Sequence, residues 1–562
     1  VAYDMACFMA NYPELTKKIF AVYSKRGVRC THVNEKLLDI AEGTLGLQAY
    51  NLAAFAKKYL RLELDKTTWR TGYQQLDGVP LAQWPQGAID YAVLDAVAAR
   101  GVIFAQWRRA QEMSYALPDA PEQAAADFAL RLASNWGVRT NEARVREIDA
   151  RTTLRMDELK IELGRAGLYK SRTATRGKFA GIVKGNKSKK ALEQLVIAAY
   201  DGNPPRTEKG GVSTDKDTLE QIDADIPVLK TWLEFQALEK TSSTYIKRLY
   251  DGTTMPLHSR FNVLVATGRP SSADPNLFNQ PRLPGVRECF EARSGTTWCS
   301  VDYDAQETRT LGQVLQTIVG HSRLAELFRQ DVNFDPHLLF AAERFLNIPL
   351  AEAQARLKAK DPPVKEMRQR AKPASFGWPG GLGPKKFVKY ARGYGVTVTE
   401  DEARAIRAAW LDTFPEVRSY FSFVSSIPGV SDGGRGTITQ LVSGRRRGGA
   451  SYTEICNSFF QGLAADASKA AMFEVARRCY SVETSWLYGC RLVAMVYDEC
   501  LLEMPEAYAH EASLELVQVM IEQMARFTPD VPPMASPALM KFWSKDASAK
   551  YDAGGRLVPW DA

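Results

Sequence analysis

The chain has 562 residues, 45% hydrophobic and 25% charged, with a formal net charge of +8; that length holds about three or four domains with ample core, and the charge permits a polyanionic partner without requiring one. No apolar run approaches the ~20 residues needed to span a bilayer, and no secretory signal pattern opens the chain, which starts at Val1 as a fragment or processed product would. Eight scattered cysteines and five histidines offer no CxxC pair and no zinc-ligand spacing, a pattern that reads as reduced intracellular thiols.

Residues 1 to about 115 read as successive helices, as in "NLAAFAKKYL" and "GAIDYAVLDAVAARGVIFAQW", where apolar residues recur at helical spacing. Prolines and acids in "YALPDAPEQ", Tyr115 to Gln123, break that pattern and predict a linker. A second helical region runs to about Asp251. It contains "KSRTATRGKFAGIVKGNKSKK", Lys170 to Lys190, with eight basic residues and no acid. This is either a mobile basic loop or an arm that grips phosphates. Its small residues allow close backbone approach and its cations displace counterions, which favours the arm and points to Lys187, Lys189 and Lys190 as phosphate contacts.

From about Met255 the pattern changes to short apolar runs beside carboxylates. "TTWCSVDYDAQETRTLGQVL" predicts a strand ending near Asp302 and then a helix carrying Glu307 and Arg309. In the helical stretch that follows, "RQRAKPASFGWPGG" sets Arg368, Lys372 and Phe376 four residues apart on one helical face. Pro373, Pro379 and two glycines predict that this helix is kinked and ends early. Alone, the stripe is also what a solvated basic face looks like. "CRLVAMVYDECLLEMP" predicts two apolar strands around a turn that exposes Tyr497, Asp498 and Glu499. Acids at the ends of apolar strands are either ordinary termini or are neutralised by something positive, usually a metal.

Taken in order, these segments resemble the family A DNA polymerases, the group of bacterial DNA polymerase I and many phage replicative enzymes, over about Gln123 to Ala562. Asp302, Tyr303 and Glu307 fit the family's first motif. Arg368, Lys372, Phe376 and Gly377 fit the second, and Asp498 with Glu499 the third. "ATGRPSSADPNLFNQP", Ala266 to Pro281, is similar to the signature at the palm entrance, and "NSFFQGLAADASK", Asn457 to Lys469, to the Asn-and-Gln helix. His337, in "DPHLLFA", stands where the family has a triphosphate-binding histidine.

The resemblance implies an α/β (α+β) right-hand fold within a polymerase domain of residues 119–562: thumb about 145–255, palm about 256–310 and 426–562, fingers about 311–425. It implies template-directed addition of dNTPs to a primer 3′ end by two-metal-ion phosphoryl transfer. Two Mg²⁺ ions, with Mn²⁺ able to substitute, are expected on Asp302, Asp498 and the Tyr303 backbone carbonyl. Asp302, Asp498, Lys372 and Glu499 are the expected catalytic residues. Arg368, Lys372 and His337 are expected to hold the phosphates, Phe376 to pack on base and sugar, and Gln306 and Glu307 to complete the dNTP site, with Glu307 obstructing a ribose 2′ hydroxyl. Arg269, Asn457, Gln461 and Tyr497 are the implied DNA contacts, the first three probing the minor groove, where correct pairs present acceptors at similar positions. The implied partners are primer–template DNA and dNTPs, with no membrane; the implied state is a monomer in the cytoplasm of a bacterial or phage-infected cell.

The chain departs from the family at four places. Gly380 stands where polymerase I members carry a tyrosine, Pro373 follows the lysine directly, Tyr497 replaces the third motif's histidine, and Thr453 replaces an arginine. These bear on fidelity and template positioning; Gly380 implies a roomier template side unless Trp378 fills the gap. Residues 1–118 resemble the last part of a ribonuclease H-like 3′–5′ exonuclease of the DEDDy type, through Asp4 in "VAYDMA" and Tyr91 and Asp95 in "AIDYAVLDA". The Asp-x-Glu pair of that family's first motif is not found, so these 562 residues are expected not to proofread. Two other readings compete: a single-subunit RNA polymerase, disfavoured by Glu307 and the Phe376-Gly377 pair, and a catalytically silent DNA-binding relative, disfavoured by the retention of Asp302 and Asp498.

Overall fold

β-branched and aromatic residues suit a pleated, half-buried chain, and "TTWCSVDY" forms the strand Thr296–Tyr303 inside a six-stranded sheet. The computed structural model describes residues 1–562 except 66, 174–182, 224, 282, 561 and 562. On one side Thr296–Tyr303 pairs antiparallel with Glu499–Pro505, the return limb of a hairpin from Arg491–Val496. On the other it pairs with Ala535–Met540, and Leu557–Trp560 and Lys550–Tyr551 complete the sheet.

Side chains alternate between the two faces of a strand. Cys299, Val301 and Tyr303 enter the main core, beneath the 30-residue helix Tyr452–Ser481 and the helix Ala509–Ala525. Trp298 enters a second core, where it packs 6.2 Å from Trp543; by alternation Ser300 and Asp302 share its face. The register sets Asp302 opposite Glu499, and the Tyr303 N–H donates to the Asp498 carbonyl at 3.2 Å. Strand pairing therefore joins acids that are distant in sequence.

After the central strand the chain is helical from Gln306 to Ser425 among its named elements. Helix Pro362–Gly377 packs on the short helix Pro336–Ala341. The early end expected at Pro373 comes four residues later. An internal proline forfeits one backbone donor, a cost of about 3 kcal/mol in an open helix, but here Ala371, Pro373 and Ala374 are all buried and packing holds the last turn. Helices Glu142–Arg165, Lys189–Ala199 and Val228–Lys240 build a separate apolar core around Leu163, Leu192, Trp232 and Phe235. The basic stretch enters this region as a hairpin, Tyr169–Thr173 paired with Val183–Lys187; its middle, 174–182, lies outside the described residues.

The named elements within residues 1–118 are all helical, and Phe20, Val33 and Leu37 share the main core with Phe128 and Met472. The expected linker at Tyr115–Gln123 is instead packed. Tyr115, Leu117 and Asp119 are buried, and helix Ala120–Trp136 starts directly after them. The cause is charge pairing: the buried Arg445 guanidinium donates to Asp119 at 2.8 Å and Asp466 at 2.5 Å, while Lys469 donates to Gln123 at 2.5 Å. Arg445→Ala leaves two buried carboxylates facing one cation. It is expected to lower unfolding free energy by about 3–5 kcal/mol, the usual cost of breaking a buried pair. Urea titration checks this, and a loss below ~1 kcal/mol would contradict it.

Candidate active site

The end of the central strand, the hairpin turn and five helices enclose a cleft of about 1300 Å³. Of the residues expected at the metal, nucleotide and minor-groove positions, all but Glu499 line it.

Two left-handed residues aim the acids. Ala305 (φ 53°) turns the strand into helix Gln306–Val319, and Tyr497 (φ 63°) makes the hairpin turn before Asp498. A side chain in that region costs about 1–2 kcal/mol, and such strain concentrates at functional sites. The Asp302 Oδ1 atom is buried with no hydrogen-bond partner. Burial, followed by the Asp498 and Glu499 carboxylates, pushes the Asp302 carboxyl up to about 8; burial pushes Asp498 up to about 6 against the pull of its backbone N–H and of Lys545. The site thus holds carboxylate oxygens short of positive charge. Among the described residues no three His, Cys, Asp or Glu side chains form a closed cage. Two acids with spare oxygens instead fit Mg²⁺, which keeps waters and takes substrate oxygens for the rest of its shell. The Tyr303 hydroxyl is spent on the Met520 carbonyl at 2.7 Å, so only its backbone is available there. Glu499 corrects the expectation of an exposed turn acid. It is 3% exposed and accepts from Ser300 Oγ at 2.8 Å and Trp543 Nε1 at 3.0 Å, with Lys545 3.2 Å away. Paired directly with Asp302, it lies buried on the face that Asp302 and Ser300 share, and its charge helps raise the Asp302 pKa.

The helical stripe stands across the cleft. Arg368 Nε donates to Asp335 at 2.5 Å, and Asp335 also caps helix Pro336–Ala341 by accepting from the His337 and Leu338 N–H groups at 2.9 and 3.0 Å. Despite burial, the Arg368 charge holds Asp335 below the usual carboxylate range. His337 is buried with its Nδ1 unpaired and its ring 4.9 Å from Phe376. Burial lowers its pKa to about 4, so it meets a ligand as a neutral imidazole able to donate one N–H. Burial and the neighbouring Arg368 lower the Lys372 pKa, which makes its proton easier to give up.

Arg269 and Glu307 form an ion pair, and the Arg269 guanidinium lies 5.5 Å over the Tyr497 ring. Tyr497 donates to Asn279 Oδ1 at 3.0 Å. Asn457 donates to the Thr453 carbonyl at 2.8 Å and the Gly380 carbonyl at 3.3 Å. Gln306 is less available than expected: its amide is turned to helix Tyr452–Ser481, donating to Ser468 Oγ at 2.9 Å. The room expected beside Gly380 is taken by Asn457, since a Cβ at 380 would lie 2.5 Å from its amide nitrogen; Trp378 is fully buried elsewhere, stacked 3.9 Å from Phe387. Outside the cleft, Lys187 pairs with Glu239 at 2.5 Å, Lys189 approaches Glu193 at 3.6 Å, and Lys190 is exposed. Asp4 is exposed on helix Ala2–Asn11 with its carboxylate 3.1 Å from the Val1 amine; Tyr91 and Asp95 lie on a different helix, Gln86–Glu112. The cleft also contains Asp335, Tyr390, Tyr394 and Lys386, which sequence reasoning missed. Asp335 carried a signal, an Asp-Pro helix start two residues before His337.

Three comparisons bear on this arrangement. A family model described as DNA polymerase family A matches residues 170–545. A thermostable DNA polymerase I of Thermus filiformis is 30% identical over 357 residues, 59% of this chain and 39% of that protein. DNA polymerase I of Aquifex aeolicus is 26% identical over 366 residues, 64% of this chain and 58% of that protein. The chain thus aligns with well under two thirds of either relative's length. The POL domain of Pol1 from M. smegmatis, solved in complex with DNA primer–template and dNTP, superposes with a TM-score of 0.67 at 21% identity, covering 91% of this chain and 81% of that one.

Proposed function

Because the chain belongs to DNA polymerase family A, we propose that it extends a primer 3′ end with dNTPs under the direction of a template strand, acting as a monomer in the cytoplasm. One observation carries the reading: in a single cleft a pair of under-neutralised carboxylates, Asp302 and Asp498, faces a row of three groups suited to phosphate oxygens, Arg368, Lys372 and His337.

Asp302, Asp498 and the Tyr303 carbonyl would hold two Mg²⁺ or Mn²⁺ ions, whose chemistry when bound is Lewis-acid stabilisation of the attacking 3′ oxygen and of the leaving pyrophosphate. The chain's own residues do the rest. Arg368, released from Asp335 or shared with it, grips triphosphate oxygens, and His337 adds a neutral N–H donor. Lys372 neutralises charge that develops on the leaving pyrophosphate and can give it a proton, helped by its lowered pKa. Phe376 offers a ring to the incoming base and sugar. Arg269, Asn457 and Gln461 form the wall past which the nascent pair must fit, a check on shape that needs no base-specific contact. Lys187, Lys189 and Lys190 supply sequence-independent attraction for the duplex backbone. Mismatch removal is not part of the proposal.

The testing experiment is primer extension with Mg²⁺, comparing dNTPs with NTPs. Template-dependent extension by dNTPs supports the reading, preference for NTPs replaces it with an RNA polymerase, and DNA binding without extension replaces it with a silent relative. Sugar choice is assigned to Glu307. Glu307→Ala is expected to raise NTP relative to dNTP incorporation at least tenfold, as removing a close steric and polar contact commonly does. An unchanged ratio in single-nucleotide insertion would move the gate elsewhere.

A further inference from the structure

Gly380 cannot carry a ring without displacing Asn457, and Trp378 is buried away from the cleft. An aromatic side chain nevertheless stands three residues earlier, at Gly377. Tyr390 belongs to the next helix, Pro384–Arg392, and lies across Gly377, where a Cβ would come within 3.2 Å of its ring. The glycine is what lets the ring approach the clamp helix so closely. The Tyr390 and Tyr394 hydroxyls share a hydrogen bond at 3.1 Å, and the Tyr394 ring stacks 6.2 Å from Phe376 at an interplanar angle of 20°. Tyr390, Phe376 and Glu307 line the same cleft. Burial, then Tyr394, then the Glu307 charge raise the Tyr390 phenol above its ordinary value, so the hydroxyl stays protonated and able to donate.

We propose that Tyr390 is a specificity-determining residue of the insertion site, whose ring closes the cleft beside Gly377 and whose hydroxyl serves the sugar check at Glu307, which lines the same cleft. The inference rests on the polymerase reading. It divides labour between two elements: helix Pro362–Gly377 carries the phosphate grip, and helix Pro384–Arg392 carries a surface that judges the pair. Gly377 then leaves space for a ring that comes from elsewhere in the chain, while Gly380 leaves space for Asn457.

The test is single-turnover insertion by the full chain, wild type against Tyr390→Ala and Tyr390→Phe, with the matched dNTP, a mismatched dNTP and the matched NTP. Tyr390→Ala is expected to lower the matched-to-mismatched selectivity about tenfold, the scale of one lost packing surface in a specificity pocket. Tyr390→Phe keeps the ring and tests the hydroxyl: selectivity against mismatches is retained and selectivity against NTPs falls about threefold. A merely structural role would slow all three substrates alike and leave both ratios where they were. If the wild type extends primers and both ratios stay within twofold in the Phe variant and in any folded Ala variant, the inference is overturned while the polymerase reading stands. A wild type that extends nothing would remove both.

Discussion

Replacing Asp302 or Asp498 with alanine will abolish primer extension, by about 10⁴-fold or more, with little change in affinity for primer–template DNA. The two carboxylates are the proposed holders of the ions that stabilise both reacting oxygens, so either loss removes charge needed only along the reaction coordinate. A fall of that size corresponds to about 5.5 kcal/mol of transition-state stabilisation. DNA affinity, by contrast, comes chiefly from cations that meet the phosphate backbone, and neither aspartate supplies one. Folding should not suffer either. Asp302 Oδ1 is buried without a hydrogen-bond partner, and burial with two neighbouring acids disfavours its charged form. Alanine removes that desolvated group, so thermal midpoints of the metal-free variants are expected to equal or exceed the wild type's. Single-turnover extension, DNA binding by anisotropy and thermal melting read the three parts separately. Extension near the wild-type rate by either variant would refute the assignment.

The second large effect separates two cations on one helical stripe. Lys372→Ala is expected to lower the maximal insertion rate about 10²–10³-fold, the usual loss on removing a preorganised group from developing charge, with a smaller change in dNTP affinity. Arg368→Ala is expected to weaken dNTP binding about tenfold or more while the maximal rate changes less. The structural difference behind this lies in their partners. Arg368 is already engaged by Asp335, which is itself fixed by two backbone N–H groups, so it is a positioned anchor present before and after the reaction. Lys372 is half-buried with a lowered pKa, the state suited to giving a proton to a leaving group. Rate against dNTP concentration in rapid-quench experiments yields both constants, and the reverse split would exchange the two roles.

Local patterns exposed much of the architecture because the elements that carry the acids are locally consistent. "TTWCSVDY" alternates as a strand, "CRLVAMVYDECLLEMP" reads as a hairpin, and the stripe at 368, 372 and 376 falls on a helix. What stayed hidden depends on partners distant in the chain. The prolines at 118 and 121 looked like a linker, but Arg445, more than 300 residues on and shared with Asp466, pairs with Asp119 in the core and holds it buried. Glu499 looked like an exposed turn acid because it follows the turn, whereas Ser300 and Trp543 hold it buried on the face it shares with Asp302. Gly380 looked like an empty place, and only the structure reveals Asn457 there and Tyr390 against Gly377. The motifs therefore marked residues that meet in one cleft, while its charge balance and packing depended on residues with no motif to mark them.

The most direct measurement of the central claim is single-nucleotide insertion on four primer–templates that differ only in the templating base, each offered all four dNTPs singly with Mg²⁺, beside the Asp302→Ala variant. The account predicts that the preferred dNTP changes with the templating base to its Watson–Crick partner, that insertion stops when Mg²⁺ is chelated, and that the variant inserts nothing. Insertion whose preference ignores the templating base, or that persists in the Asp302→Ala variant, would contradict it.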